Sequence, residues 1–145
     1  MTTWNRRRFL AAAAAFLPVG CAGFRPAPPD PRREAVDKLF SRLQQDLRSD
    51  HWDRIGWAFS PDFRDLPSVR GRWDERWTRH QTMDMELRPG RILESGGLLN
   101  VQVSWHRVVR DRAGQFVKDS GTAEVILEPH HSEYRIRQVL GNSFF

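Results

Sequence analysis

Tyr134 and Gln138 are the polar residues best placed to orient a ligand, because they share one face of a predicted strand with apolar residues. Tyr134, Ile136, Gln138 and Leu140 alternate along the last strand and so point to the same side. A hydroxyl or amide group buried on an apolar face must find a hydrogen-bond partner. That partner is either the backbone inside the core or a ligand bound in a pocket.

A second set of candidate ligand-binding residues lies on a helix predicted to begin at Ser68. Trp73, Trp77 and His80 follow Val69 at spacings of four, four and three residues, which places them on one helix face. Such a face either packs into the core or stacks a flat ligand against its rings. The predicted ligand-pocket residues are therefore Trp73, Trp77, Tyr134 and Gln138.

The remaining polar clusters favour structural roles. His130 and His131 are adjacent in a predicted turn, and the chain has no HExxH or HxxxH spacing, so we predict no metal. No Walker, GxGxxG or GxSxG motif occurs, so we predict no cofactor and assign no catalytic residue. Arg72, Arg76 and Arg79 share a helix face that meets either solvent or anionic lipid headgroups.

Length and charge limit the class of protein further. The 145 residues fit one domain, and the single cysteine rules out an intramolecular disulfide. The net charge of +5 falls to +2 when residues 1–20 are removed, because they hold three arginines and no acidic residue. The basic pI is thus mostly a property of the N-terminal segment, and we predict no nucleic-acid binding.

Residues 1–20 have the pattern of a secretory signal peptide. Three arginines precede an apolar stretch, Phe9 to Val19, that is too short for a transmembrane helix. Arg6, Arg7, Phe9 and Leu10 match the twin-arginine export motif. We therefore predict export by that route.

Cys21 follows the apolar stretch, and the run Leu17 to Cys21 resembles a bacterial lipobox. The departure is Pro18, where leucine is usual. Acylation of Cys21 would anchor the protein, since each buried acyl CH₂ contributes about 0.8 kcal/mol of membrane affinity. Ala22 in the next position is typical of lipoproteins held in an outer membrane and facing the periplasm. The alternative is an ordinary signal peptide cut near Ala22 or Gly23.

Residues 21–31 form a proline-rich tether, and residues 32–145 the single folded domain. Apolar periodicity predicts three helices: from the Asp30 cap and Pro31 to about Arg48, from His51 to Phe59, and from Ser68. Period-two alternation then predicts four strands, 83–94, 99–110, 116–128 and 134–140. Within them we expect a bend at Pro89, a positive φ at Gly114 and a bulge at Gly121. Helices followed by hairpin-linked strands give an α+β domain with helices packed on one face of an antiparallel sheet.

Three N-terminal helices, the phrase Trp57 to Phe63 and a four-strand meander resemble the nuclear-transport-factor-2-like fold, a cone shared with ketosteroid isomerases. The resemblance covers about residues 32–143 and implies a pocket at the open end of the cone. Ketosteroid isomerases use a tyrosine from the first helix, but the only tyrosine here is Tyr134. Similar dehydratases use histidine and aspartate, for which His106 and Asp84 are the analogues, though both fall out of register with the apolar strand faces.

We interpret the chain as a membrane-anchored lipoprotein whose domain is a non-catalytic ligand-binding or assembly module of the cell envelope. The alternative is a small cofactor-independent lyase or isomerase that works in the cone. The expected partners are membrane lipid through Cys21, a small apolar ligand, and a second copy or an envelope protein. Val108 and Ile126, apolar residues on the polar sheet face, indicate where such a protein partner would bind.

Overall fold

The computed structural model describes residues 28–49 and 51–145. The export motif, Arg6, Arg7, Phe9 and Leu10, and the acylation residue Cys21 lie outside them. The elements in chain order are α1 (Pro31–Asp46), two single 3₁₀ turns (Trp52–Arg54 and Gly56–Ala58), α2 (Leu66–Arg79), β1 (His80–Ser95), β2 (Leu98–Asp111), β3 (Phe116–His130) and β4 (Glu133–Gly141). Among the described residues, no helix has the length and apolar character needed to cross a membrane.

Helix α1 begins as predicted. The Asp30 side chain accepts a hydrogen bond from the Arg32 backbone N–H at 3.0 Å, and Pro31 occupies the first turn. The helix ends at Asp46, two residues before the predicted end. Its buried stripe consists of Val36, Leu39, Phe40 and Leu43.

The predicted helix from His51 to Phe59 is wrong, because two 3₁₀ turns take its place. The segment is shorter than the roughly 12 residues at which isolated helices become stable, and Gly56 lies at its centre. Tertiary contacts then decide its shape: the Phe59 ring stacks on Trp52 at 5.5 Å, and the Phe59 backbone bridges to Ile136 of β4. The residues that the structure describes therefore form two α-helices and two 3₁₀ turns rather than three α-helices. Helix α2 opens at Leu66, two residues before the predicted Ser68.

The α+β fold class is confirmed. The four strands form one antiparallel sheet in the order β1-β2-β3-β4, and α1 packs against β1 and β4. We call this side of the sheet the helix-covered face and the other side the open face. The helix-covered face carries the apolar core residues of the strands, which are Met85, Leu87, Leu99, Val101, Val103, Trp105, Val109, Ala123, Val125, Leu127 and Ile136.

Two of the three expected backbone features are confirmed. The β1–β2 register shifts between Pro89 and Ile92, and Gly114 has a φ of 82° in the β2–β3 turn. The bulge predicted at Gly121 is wrong, because Gly121 pairs in register with Trp105. A Cβ atom at Gly121 would lie 2.8 Å from the Trp105 ring, so this glycine serves close approach of the indole to the β3 backbone.

The irregularity of β3 lies instead between Ile126 and Leu127, opposite β4. Leu127 pairs with Ile136 and Ile126 with Gln138, so one residue of β4 is left over between them. This shift turns Gln138 away from the helix-covered face and leaves it exposed, while Val139 packs against the core. The expected single face from Tyr134 to Leu140 therefore ends after Ile136.

Candidate functional site

The four predicted pocket residues do not meet in one site. Trp73 is buried in the core, with its ring edge-on to Trp52 at 6.2 Å. Tyr134 is half-buried beside α1, and Gln138 lies on the rim of a separate depression of about 370 Å³. Trp77 belongs to α2, but its side chain lies outside the described part of the structure.

Tyr134 lines a groove of about 220 Å³ along α1, together with Leu39, Trp57 and Arg42. The Arg42 guanidinium lies over the Trp57 ring, 3.9 Å from its centroid, and the indole N–H of Trp57 donates to Asp46 at 2.8 Å. The cation thus covers part of the aromatic surface, and the indole already has a partner. Trp57 and Tyr134, which line this groove, are packed against the hydrophobic core.

The histidines and Asp84 do not form a reactive group either. Asp84 is exposed and ion-paired with Arg48 at 2.8 Å, while His106 pairs across the strands with Glu86. The rings of His130 and His131 stack edge-on at 4.5 Å in the β3–β4 turn. Within the described residues, no group of three or more histidine, cysteine or acidic side chains is placed to hold a metal ion.

A larger cavity, of about 500 Å³, lies between the last turns of α2, the C-terminal end of β2 and the N-terminal end of β3. We call it the arginine cavity. Its lining carries five basic side chains against two acidic ones, a formal excess of three positive charges. The lining residues are Arg72, Glu75, Arg76, Arg79, His80, Arg107, Val109, Val117, Lys118 and Asp119. This lining differs from that of the apolar pocket that the sequence led us to expect.

Strand alternation explains how Arg107 reaches this cavity. Val103, Trp105, Arg107 and Val109 are two residues apart, so all four point to the helix-covered face. Asp119 of β3 lies directly opposite Arg107 and points the same way. The apolar core of the sheet therefore ends in an arginine–aspartate pair. Arg107 was not among the predicted pocket residues, although its spacing of two residues from Trp105 predicts that both side chains point to the same sheet face.

The Arg107 guanidinium is largely enclosed, with 16% of its side chain exposed. One terminal nitrogen donates to the Asp119 carboxylate, and the group lies 5.2 Å from the Trp105 ring centroid. Its Nε and Nη1 atoms are buried and have no hydrogen-bond partner in the described structure. A buried donor left unsatisfied costs about 1–3 kcal/mol. Both atoms are closed to solvent, so a further acceptor would reach them only after the Arg107 side chain turns toward the cavity.

Arg76 enters the cavity from α2. Its Nη1 atom donates to the Phe144 carbonyl at 3.0 Å. Burial, and next the positive charge of Arg107, lower the pKa of Arg76 to about 10. Arg76 therefore remains a cation at neutral pH, in an environment that disfavours its charge.

The three α2 arginines line the same cavity, as their predicted common helix face requires, but they differ in exposure. Arg79 is exposed and paired with Glu75 at 2.8 Å, and Arg72 is exposed at 3.8 Å from Asp65. Only Arg76 of the three is half-buried. The two exposed arginines form the rim of the cavity, and Arg76 and Arg107 form its inner wall.

Comparison with known proteins bears on the fold alone. No protein-family model matches the chain, and no curated protein sequence does. A conserved protein from Planctomyces limnophilus aligns over 75% of this chain and 93% of its own, with a TM-score of 0.64 and 12% identity. A provisionally assigned aromatic ring hydroxylase from Novosphingobium aromaticivorans aligns over 77% and 88%, with a TM-score of 0.60 and 10% identity. An NTF2-like protein from an Exiguobacterium also matches, at a TM-score of 0.45, 12% identity and 72% and 93% coverage.

These likenesses and the sheet topology define the class of fold. The chain is an α+β protein in which helices pack on one face of a four-strand antiparallel meander. The finer resemblance to the nuclear-transport-factor-2-like cone stays a prediction from the sequence.

Proposed function

We propose that this chain is an exported, lipid-anchored envelope protein whose cone-shaped domain binds a small ligand without transforming it. The single observation that supports binding is the arginine cavity, whose lining includes the largely enclosed Arg107 and the half-buried Arg76. A cavity of this size falls within the range that small-molecule sites occupy.

The state of the two carboxylates favours binding over catalysis. Glu75 is ion-paired with Arg79 at 2.8 Å, and Asp119 is paired with Arg107. Each carboxylate is therefore already engaged in an ion pair with a neighbouring arginine. The lining is thus rich in hydrogen-bond donors, while both of its carboxylates are engaged.

The open face of the sheet gives less support to an assembly role. Val108 and Ile126, the two apolar residues expected there, are half-buried. Val108 lies between Asp84 and Lys118 on the neighbouring strands. Apolar side chains bordered by charged ones form a small contact area, whereas stable dimers bury about 800 Å² per partner. We therefore favour a small ligand over a second copy of the chain as the binding partner of this domain.

Membrane anchoring is supported by the N-terminal pattern. Cys21 is the only cysteine of the chain and stands directly after an apolar stretch preceded by the twin-arginine residues. The proline-rich tether would then hold the domain close to an outer membrane, in the periplasm.

Native mass spectrometry of the full chain tests the binding function. We expect the protein carrying Cys21→Ser, purified from an exporting bacterium, to show a mass excess that denaturation releases as a small molecule. The matched variant Arg76→Met should lose this mass, because it removes one wall of the cavity. A protein that is empty under all native conditions, or that converts the released molecule in turnover assays, would contradict non-catalytic binding.

A further inference from the structure

We propose that the arginine cavity binds the oxyanion group, a carboxylate or a phosphate, of a small soluble molecule, with Arg76 and Arg107 as the anion-binding residues. This inference rests on the proposed binding function and specifies its ligand.

The cavity lining carries more positive than negative charge. Its carboxylates, Glu75 and Asp119, are each already shared with an arginine. The half-buried Arg76 has no carboxylate partner within salt-bridge distance among the described residues. Enclosed cations without counter-charge destabilise the fold. A bound oxyanion would supply the missing negative charge where two guanidinium groups are close enough to repel each other.

The two arginines of the inner wall have more N–H donors than hydrogen-bond partners. A guanidinium has five N–H donors, and the only contact described for Arg76 is the one to the Phe144 carbonyl. Arg107 donates to Asp119, and its Nε and Nη1 atoms, which have no acceptor and are closed to solvent, would meet a ligand only after the side chain turns toward the cavity. Arginine bonds to carboxylate and phosphate are charge-assisted and about twice as strong as neutral hydrogen bonds. Val109 and Val117 on the same lining offer apolar contact to the carbon skeleton of the ligand.

The position of the cavity favours a soluble molecule over a headgroup of the anchoring membrane. The tether joins the domain at Pro31, and the adjacent Arg32 is ion-paired with Glu94 near the end of β1. The arginine cavity lies at the other end of β1, at His80. At about 3.3 Å per residue, the strand separates the two sites by on the order of 40 Å. The cavity therefore lies at the end of the domain remote from the tether.

Side-chain NMR of the full chain carrying Cys21→Ser tests the inference, with inorganic phosphate and succinate as the probes. Each is titrated at constant ionic strength against sodium chloride. We expect the arginine Nε–H signals of Arg76 and Arg107 to shift saturably with at least one probe and to stay unchanged with chloride. Phosphate binding alone would assign a phosphate group, and succinate binding alone a carboxylate.

Three variants locate the site. Arg76→Met and Arg107→Met should each weaken binding by at least about tenfold, the usual loss for one charge-assisted contact. Arg110→Met is the matched control, because it removes the same charge from β2 at an exposed position on the open face. It should change affinity by less than about twofold. We expect Arg76→Met to keep its Tm, because the substitution also removes an enclosed cation. This variant therefore tests the site even if Arg107→Met fails to fold.

The contrary outcomes are distinct. A flat titration, or equal weakening by Arg110→Met, would overturn the oxyanion site. Arg76-dependent binding to phosphatidylglycerol vesicles with no response to phosphate or succinate would overturn the soluble ligand. If native mass spectra show a retained neutral molecule and the titration is flat, the oxyanion inference is wrong and the binding function still stands. Turnover of the ligand would remove the non-catalytic function and leave the two arginines as its binding residues.

Discussion

Phe144→Ala is expected to lower the free energy of unfolding by about 3–5 kcal/mol, the usual cost of truncating a buried phenylalanine. The Phe144 side chain is 1% exposed, and its ring contacts Phe145 at 4.4 Å between centroids. Phe145 in turn contacts Phe59 at 5.0 Å. The residue also lies beside the cavity, because its carbonyl accepts a hydrogen bond from Arg76. Thermal unfolding should show a fall in Tm of about 10–20 °C.

Phe116→Ala is the matched control for that measurement. The Phe116 ring is 64% exposed at the start of β3, so the same truncation should change stability by no more than about 0.5 kcal/mol. Equal Tm values for Phe144→Ala and the unaltered protein would mean that the segment after β4 does not pack into the core as described.

Cys21→Ser is expected to move nearly all of the protein from the membrane fraction to the soluble fraction. A single acyl chain binds membranes only marginally, whereas two or three hold a protein durably. The unaltered protein should resist a high-salt wash, since its attachment is hydrophobic rather than electrostatic. Mass spectrometry of the N-terminal peptide should show acyl chains on Cys21.

Ala22→Ser keeps the cysteine and should leave the protein in the membrane fraction. Retention of the processed Cys21→Ser protein on membranes would contradict the lipid anchor. Release of the unaltered protein by salt would instead indicate electrostatic attachment through basic side chains.

The strands and α1 were predictable because their signals are local. Asp30 and Pro31 mark the start of α1, and apolar residues at helical spacing mark its buried stripe. Alternation along β2 defines the helix-covered face from Leu99 to Val109. The positive φ of Gly114 was also predictable from local sequence, because glycine adopts positive φ in a tight turn at no steric cost.

Other features depended on contacts between distant residues. The segment after α1 is too short to hold a helix by itself, and the packing of Phe59 against β4 decides its shape. The irregular pairing at Ile126 moves Gln138 off the predicted face. The alternation of residues along β4 does not predict this register shift. Sequence also could not indicate which α2 arginine turns inward, because only the packing of α2 against the sheet separates Arg76 from Arg79.

A crystal structure with the preferred oxyanion is the most direct test of the account. Crystals of the Cys21→Ser protein are grown without sulfate, phosphate or carboxylate buffers and then soaked in phosphate or succinate. We expect electron density for the oxyanion within hydrogen-bond distance of both Arg76 and Arg107. Density for ordered water alone, with Arg107 Nε and Nη1 bonded to protein acceptors, would contradict the central claim that the arginine cavity is the binding site.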